Sequence, residues 1–241
     1  MTDSEMPVFD FWPAVKETFT HVVAIGDRAN SILSRLRADL GEKFEHYMLT
    51  IEEGSMFVRF LVAIVEKSAS FDELQTSYAN LLSEETILCI IDIADRPSVE
   101  EWANAESYLW IPPEKQYDSV KNLLEGYFNN VIHHGLLCMD FNDWRWSIKG
   151  KKRVKTYVLS GKEETVFKLL PTWQFDTSRV VYIFLIGVPK GYRFSEQQMN
   201  AVNENVFMKL GDDAYLHWNI FEREDSSDEI SFSLLQFMPI V

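Results

Sequence analysis

Thr20-His-Val-Val-Ala-Ile-Gly26 is an apolar run that ends at a glycine, and Asp27 follows it directly. The run has the length of a buried strand, and the glycine allows a tight turn. Beyond the turn, Ala29, Ile32, Leu33, Leu36 and Leu40 recur at helical spacing. Asp27 is placed to cap that helix and Gly41 to stop it. The chain therefore opens as strand, turn, helix. Working outward, Phe44–Ile51 and Phe57–Val65 are strand-like runs, the second also compatible with a helix. Phe71–Leu82 is a short amphipathic helix, and Thr86–Ile93 is again a buried strand. Asp95-Arg-Pro-Ser98 makes a turn, with Pro97 suited to a helix start. Tyr108–Ile111 is a short strand closed by Pro112-Pro113. Strands that are apolar on both faces and alternate with helices predict a parallel α/β sheet.

Residues 117–134 predict a long helix with Tyr117, Val120, Leu124, Tyr127, Phe128 and Val131 in one stripe, ended by His134-Gly135. The pattern then changes. Arg153–Leu159 is a mixed strand, Gly161–Leu170 is partly helical, and Val180–Ile186 is a fully apolar strand. Ser195 and Gln198 form a capping box for a helix that Gly211 ends. Tyr215–Phe221 and Ile230–Phe237 both alternate, on either side of the charged turn Glu222–Glu229. The last third thus predicts a small α+β unit with a terminal antiparallel hairpin. The expected division is residues 1–116, 117–146 and 147–241.

The composition excludes several classes. Of 241 residues, 46% are hydrophobic and 14% aromatic, too many for a disordered chain. A chain of this length buries roughly 70–75% of its unfolded surface and needs no disulfide or structural metal. The net charge of −14 argues against generic binding to nucleic acid or anionic membranes. No apolar run approaches the length of a membrane span, and the acidic start Met1-Thr-Asp-Ser-Glu-Met6 lacks a signal-peptide pattern. Cys89 and Cys138 have no metal-ligand spacing, nor do the histidines, so no metal site and a reducing cytoplasm are expected.

The segment Gly135-Leu-Leu-Cys-Met-Asp-Phe-Asn-Asp-Trp-Arg145 resembles a loop of FtsZ, the tubulin-like division GTPase, that reads roughly G-L-[IM]-N-[VL]-D-F-A-D-[VI]-[KR]. Gly135, Leu136, Asp140, Phe141, Asp143 and Arg145 match, while Cys138 replaces an asparagine. Val22–Ile25, Gly26 and Asn30 resemble the family's first strand and loop. Tyr108-Leu-Trp-Ile-Pro-Pro-Glu-Lys115 resembles its L-I-x-I-P-N-[DE]-[KR] segment, and residues 180–237 resemble its carboxy-terminal domain. The resemblance implies an FtsZ/tubulin-like fold: a Rossmann-type sheet, a central helix, then a smaller α+β domain. It also implies a cytoskeletal or cell-division role.

The departures fall where the family holds nucleotide. Its glycine signature G-G-G-T-G-[TS]-G is expected after Thr86–Ile93, where this chain has Ala94-Asp-Arg-Pro-Ser-Val-Glu-Glu101. Backbone N–H groups approach phosphates closely only where side chains do not obstruct them. The first loop keeps only Gly26 and Asn30 as remnants. The chain is also short for the family, with the deficit expected before Thr86 and between Ile93 and Tyr108. No cofactor, GTP included, is expected. The leading expectation is a non-catalytic protein that associates with itself or with an FtsZ-like filament. The alternative is a divergent GTPase with a rebuilt pocket.

The resemblance assigns Asp140 and Asp143 a trans-acting role at a neighbouring subunit's phosphate, and helix capping is the competing role. Trp144 and Trp146, flanking Arg145, are with it candidate interface residues, and burial of the tryptophans between the central helix and the last domain is the alternative. Lys149, Lys151, Lys152, Arg153 and Lys155 form a basic cluster, either a dock for an acidic partner or nucleic-acid phosphate, or a solvated loop.

Overall fold

The computed structural model describes residues 19–40, 59–66, 71–84, 86–129, 141–177, 180–211, 213–223 and 227–240. The expected strand Phe44–Ile51 lies outside them, as do His133, His134, Gly135, Cys138 and Asp140. The opening run becomes β1 (Phe19–Ile25), and α1 (Asp27–Leu40) follows it at once. Asp27 is thus the first helical residue rather than the cap, and its carboxylate still lies where the helix dipole favours negative charge. The second apolar run is a strand, β2 (Arg59–Val65). Next come α2 (Phe71–Ser77), a 3₁₀ turn (Ala79–Leu81) and β3 (Thr86–Asp92). A second 3₁₀ turn (Val99–Trp102) leads to β4 (Ser107–Trp110) and α3 (Gln116–Tyr127). Then follow α4 (Phe141–Ile148), β5 (Gly150–Lys162), α5 (Glu163–Leu169) with a 3₁₀ turn (Leu170–Thr172), β6 (Val181–Val188), α6 (Glu196–Val202) continued by a π-helical turn (Asn203–Phe207) and a last helical turn (Met208–Leu210), β7 (Tyr215–Glu222) and β8 (Glu229–Pro239).

All eight strands join one sheet in the order β1-β2-β3-β4-β5-β8-β6-β7. Strands β1 to β5 are mutually parallel. β5 is long enough to pair with β4 through Gly150–Arg153 and, antiparallel, with β8 through Lys152–Lys162. The expected terminal hairpin does not form. β8 runs between β5 and β6, antiparallel to both, and β7 pairs with β6 in parallel. Burial explains the difference. β8 is apolar on both faces: Ile230, Phe232 and Leu234 on one, Leu235 and Phe237 on the other, all essentially inaccessible. Such a strand belongs inside a sheet. Tyr215 at the start of β7 is 64% exposed, which suits the outermost position.

The two faces are covered differently. One carries a single core that runs from Val22, Val62 and Cys89 through Val154 to Ile183 and Leu235, beneath α1, α3 and α4. The other carries two separate cores. One packs Val23, Leu61, Ile90 and Tyr108 with Leu74 and Trp102; the other packs Phe184, Phe232 and Leu234 with Val166, Val202 and Val206. The capping box at α6 forms as the sequence predicts: Ser195 Oγ accepts from Gln198 N at 3.2 Å, and Ser195 N donates to Gln198 Oε1 at 2.8 Å. Among the described residues no helix is long and apolar enough to cross a membrane.

Candidate functional site

In an open parallel sheet, ligands bind beyond the carboxyl ends of the strands, so the loops after β1 to β4 are the place to look. Gly26 turns the chain from β1 into α1 with φ +100°, a conformation that L side chains avoid. Asn30 closes the turn: its amide Nδ2 donates to Gly26 O at 2.8 Å, and its backbone N donates to the same oxygen at 2.9 Å. These two remnants of the first loop therefore bond to each other.

The group facing this turn is Glu66, just beyond β2. The backbone N of Arg28 donates to Glu66 Oε2 at 3.1 Å, and a Cβ placed on Gly26 would collide with the same carboxylate. A carboxylate thus sits at the amino terminus of α1, where free N–H groups and the helix dipole favour an anion. The family pattern places the second nucleotide loop after β3. Because β2 lies beside β1, the residue against Gly26 comes instead from the end of β2. Nothing local marks Glu66, which was one acid among 37 Asp and Glu. Its meaning comes from a partner 38 positions away.

The loop after β3 closes the site from the other side. Arg28 reaches across to Asp95 at 3.6 Å and donates to Gln116 Oε1. Gln116 Nε2 in turn donates to Ile93 O at 2.8 Å and to Ile111 O at 3.1 Å. Asp92, fully buried, accepts from Ala94 N at 2.7 Å, Ser98 Oγ at 2.7 Å and the Tyr108 hydroxyl. Burial, reinforced by the Asp92 carboxylate, pushes the Tyr108 phenol well above its ordinary pKa, so it stays a donor. Trp110 Nε1 donates to Ala94 O at 2.9 Å. Along this rim the backbone N–H groups of Arg28, Ala94 and Ser98 are bonded to side chains of the chain itself.

At the opposite end of the parallel strands, α4 presents the acidic segment. Asp143 lies in the first turn of α4, half-buried, and its carbonyl accepts from Ser147 Oγ at 2.8 Å. Trp144 is 2% exposed and packs at a tilt against Tyr127 of α3, ring centroids 5.6 Å apart. Arg145 forms a two-pronged pair with Glu106, each contact 2.5 Å. Those bonds hold the Glu106 carboxyl below the usual carboxylate range. Of the two tryptophans that flank Arg145, the exposed one is Trp146. It is half exposed and packs edge-on against Tyr215 and His217 of β7.

A groove of about 690 Å³ lies between α3 and strands β5, β8 and β6, lined by Asp118, Lys121, Glu125, Thr156, Ser231 and Arg223. Its charges alternate in sign, so it offers no uniform field to a polyanion. No group of three or more metal-ligating side chains occurs among the described residues.

No family model matches the chain, and no curated protein matches it. Solved structures do. A mutant FtsZ from M. jannaschii matches over 90% of this chain and 90% of its own, at 12% identity and a TM-score of 0.53. CetZ from Methanosaeta thermophila matches over 93% of this chain and 88% of its own, at 9% identity and a TM-score of 0.55. The fold is FtsZ/tubulin-like. At these identities the likeness speaks for architecture, and function has to be argued from the site.

Proposed function

We propose that this FtsZ-like chain is a structural or interaction protein that works without nucleotide. It associates with itself or with a filament of an FtsZ-like partner. The observation that carries the reading is the Glu66 carboxylate at the amino terminus of α1, bonded to Arg28 N. A phosphate at that position would meet a fixed negative charge instead of free N–H groups, with Asp95 a second carboxylate on the far side of Arg28. The glycine signature of the family is lost in this reading, and its phosphate-binding role has no successor.

Residues 1–116 then supply a nucleotide-type part without nucleotide, residues 117–146 the central helix and acidic loop, and residues 147–241 the carboxy-terminal part. The mechanism is one-sided. The face that carries Asp140 and Asp143 docks on a partner's nucleotide-bearing face, and this chain's own opposite face offers the next subunit nothing to complete. Such a subunit caps a filament end.

Two measurements test this. Calorimetry with GTP and GDP, with and without Mg²⁺, is expected to show no binding tighter than about 100 µM, roughly 5.5 kcal/mol. Tighter binding would establish the divergent GTPase instead. In co-sedimentation with a polymerising FtsZ, stoichiometric amounts of this chain are expected to shorten polymers and lower GTP turnover. Unchanged polymers and turnover, with no self-association by light scattering, would rule the reading out.

A further inference from the structure

The basic cluster is not a loop. Lys151, Arg153 and Lys155 lie on β5, and the two-residue period of a strand puts all three on one face. That is the face that carries two separate cores. Val154, between them, points into the single core opposite, whereas Tyr157 and Leu159 of the same strand join the second core. Among the described residues the two cores leave a strip uncovered where β4, β5 and the end of β8 meet, since Trp110 and Ile240 pack against one core and Tyr157 against the other. Lys151, Arg153 and Lys155 form the floor of this strip. Beside them lie Trp110, opposite Arg153 on β4, and Met238, opposite Arg153 on β8.

Three observations say what the strip is suited to hold. First, five of the chain's 23 Lys and Arg fall within residues 149–155 of a protein with net charge −14. Second, Lys151 and Arg153 have no carboxylate within ion-pair distance among the described residues, whereas Lys155 meets Asp176 at 3.6 Å. Third, the Arg153 guanidinium lies 5.3 Å from the Trp110 ring centroid, and its Nε is buried without an acceptor. A cation held on an indole and short of acceptors is a prepared anion contact. Alternate residues on a strand are roughly 6.6–6.8 Å apart, and alternate side chains of an extended peptide have the same spacing.

We propose that this strip is a docking channel for an extended acidic segment of a partner protein, whose carboxylates pair with Lys151 and Arg153. Nucleic acid fits less well. Trp110 is covered by Arg153 and tied to Ala94 O, so no aromatic face is free to stack a base, and the net charge repels a long polyphosphate. Asp176 acts as an internal competitor that holds Lys155. The proposal does not depend on whether the chain binds nucleotide.

The test uses the full chain and fluorescence anisotropy with a fluorescein-labelled Glu-Ser repeat peptide, and a labelled oligothymidine as comparison. Binding of the peptide is expected at about 10 mM salt and is expected to weaken steeply toward about 150 mM, as the screening length falls from about 30 to about 8 Å. Lys151→Gln with Arg153→Gln is expected to weaken it about tenfold. Lys168→Gln with Lys190→Gln removes the same charge elsewhere on the exposed surface and is expected to leave it unchanged. Asp176→Asn frees Lys155 and is expected to tighten it, a gain that damage to the fold would not produce. Three results would overturn the proposal: no peptide binding at low salt, equal loss in both charge-matched pairs, or oligothymidine binding tighter than the peptide.

Discussion

Gly26 and Glu66 meet at the turn from β1 into α1. Gly26 combines a positive φ with a carboxylate where a Cβ would go. Gly26→Ala is therefore expected to destabilise the protein by about 1–3 kcal/mol through backbone strain, with the clash adding to it. Urea denaturation measures this, and an unchanged midpoint would mean that the turn relaxes freely. Tyr108→Phe removes one donor from buried Asp92 and is expected to cost about 1–3 kcal/mol in the same assay. Gly26 is legible in the sequence as a turn residue, whereas Asn30, expected in the loop, lies in the first turn of α1. Glu66 and Asp92 are not legible there, because a carboxylate becomes informative only when its hydrogen-bond partner is known.

Elements were mostly legible because periodicity is local. The strands at Thr20, Thr86 and Val180, the stripe of α3 and the capping box of α6 all follow from side chains a few positions apart. Ser195→Ala is expected to cost about 1 kcal/mol in thermal unfolding, since the cap bond to Gln198 N is then lost. The link between α4 and β4 gives a pH-dependent prediction. Arg145 lowers the pKa of Glu106, so the folded state holds this carboxylate ionised more tightly than the unfolded chain does. Its stabilisation is complete above the unfolded carboxylate pKa near 4.3 and is lost as pH falls through the lower folded value. The pair is partly exposed, so at neutral pH Arg145→Met is expected to cost only about 1 kcal/mol. As pH falls through that lower folded value, the gap between variant and parent is expected to close. A gap that persists there would point to lost packing of the arginine stem rather than lost charge.

For the molecule as a whole, β8 is the decisive strand. It joins the parallel half, through β5, to β6 and β7. A chain ended before Glu229 would expose both flanking strands and the two cores that β8 separates. It is expected to lose its cooperative unfolding transition, which circular dichroism during heating would show. Net charge acts at the same level. With −14 on 241 residues, self-repulsion opposes folding, and moderate salt is expected to raise the melting temperature. A melting temperature that falls with added salt would mean that local pairs such as Arg145–Glu106 outweigh the net repulsion.

Strand and helix identities, the lack of glycine in residues 94–101 and the crowding of cations into residues 149–155 are properties of neighbouring residues, so they can be read before any folding is known. Strand order, the place of β8 between β5 and β6, and the pairing of Glu66 with the amino terminus of α1 are of another kind. Each depends on which surfaces become buried against each other across tens of residues. A strand that alternates looks the same at an edge and at a centre until its second face finds a core. A glutamate looks like solvent-facing charge until a helix terminus is brought to meet it.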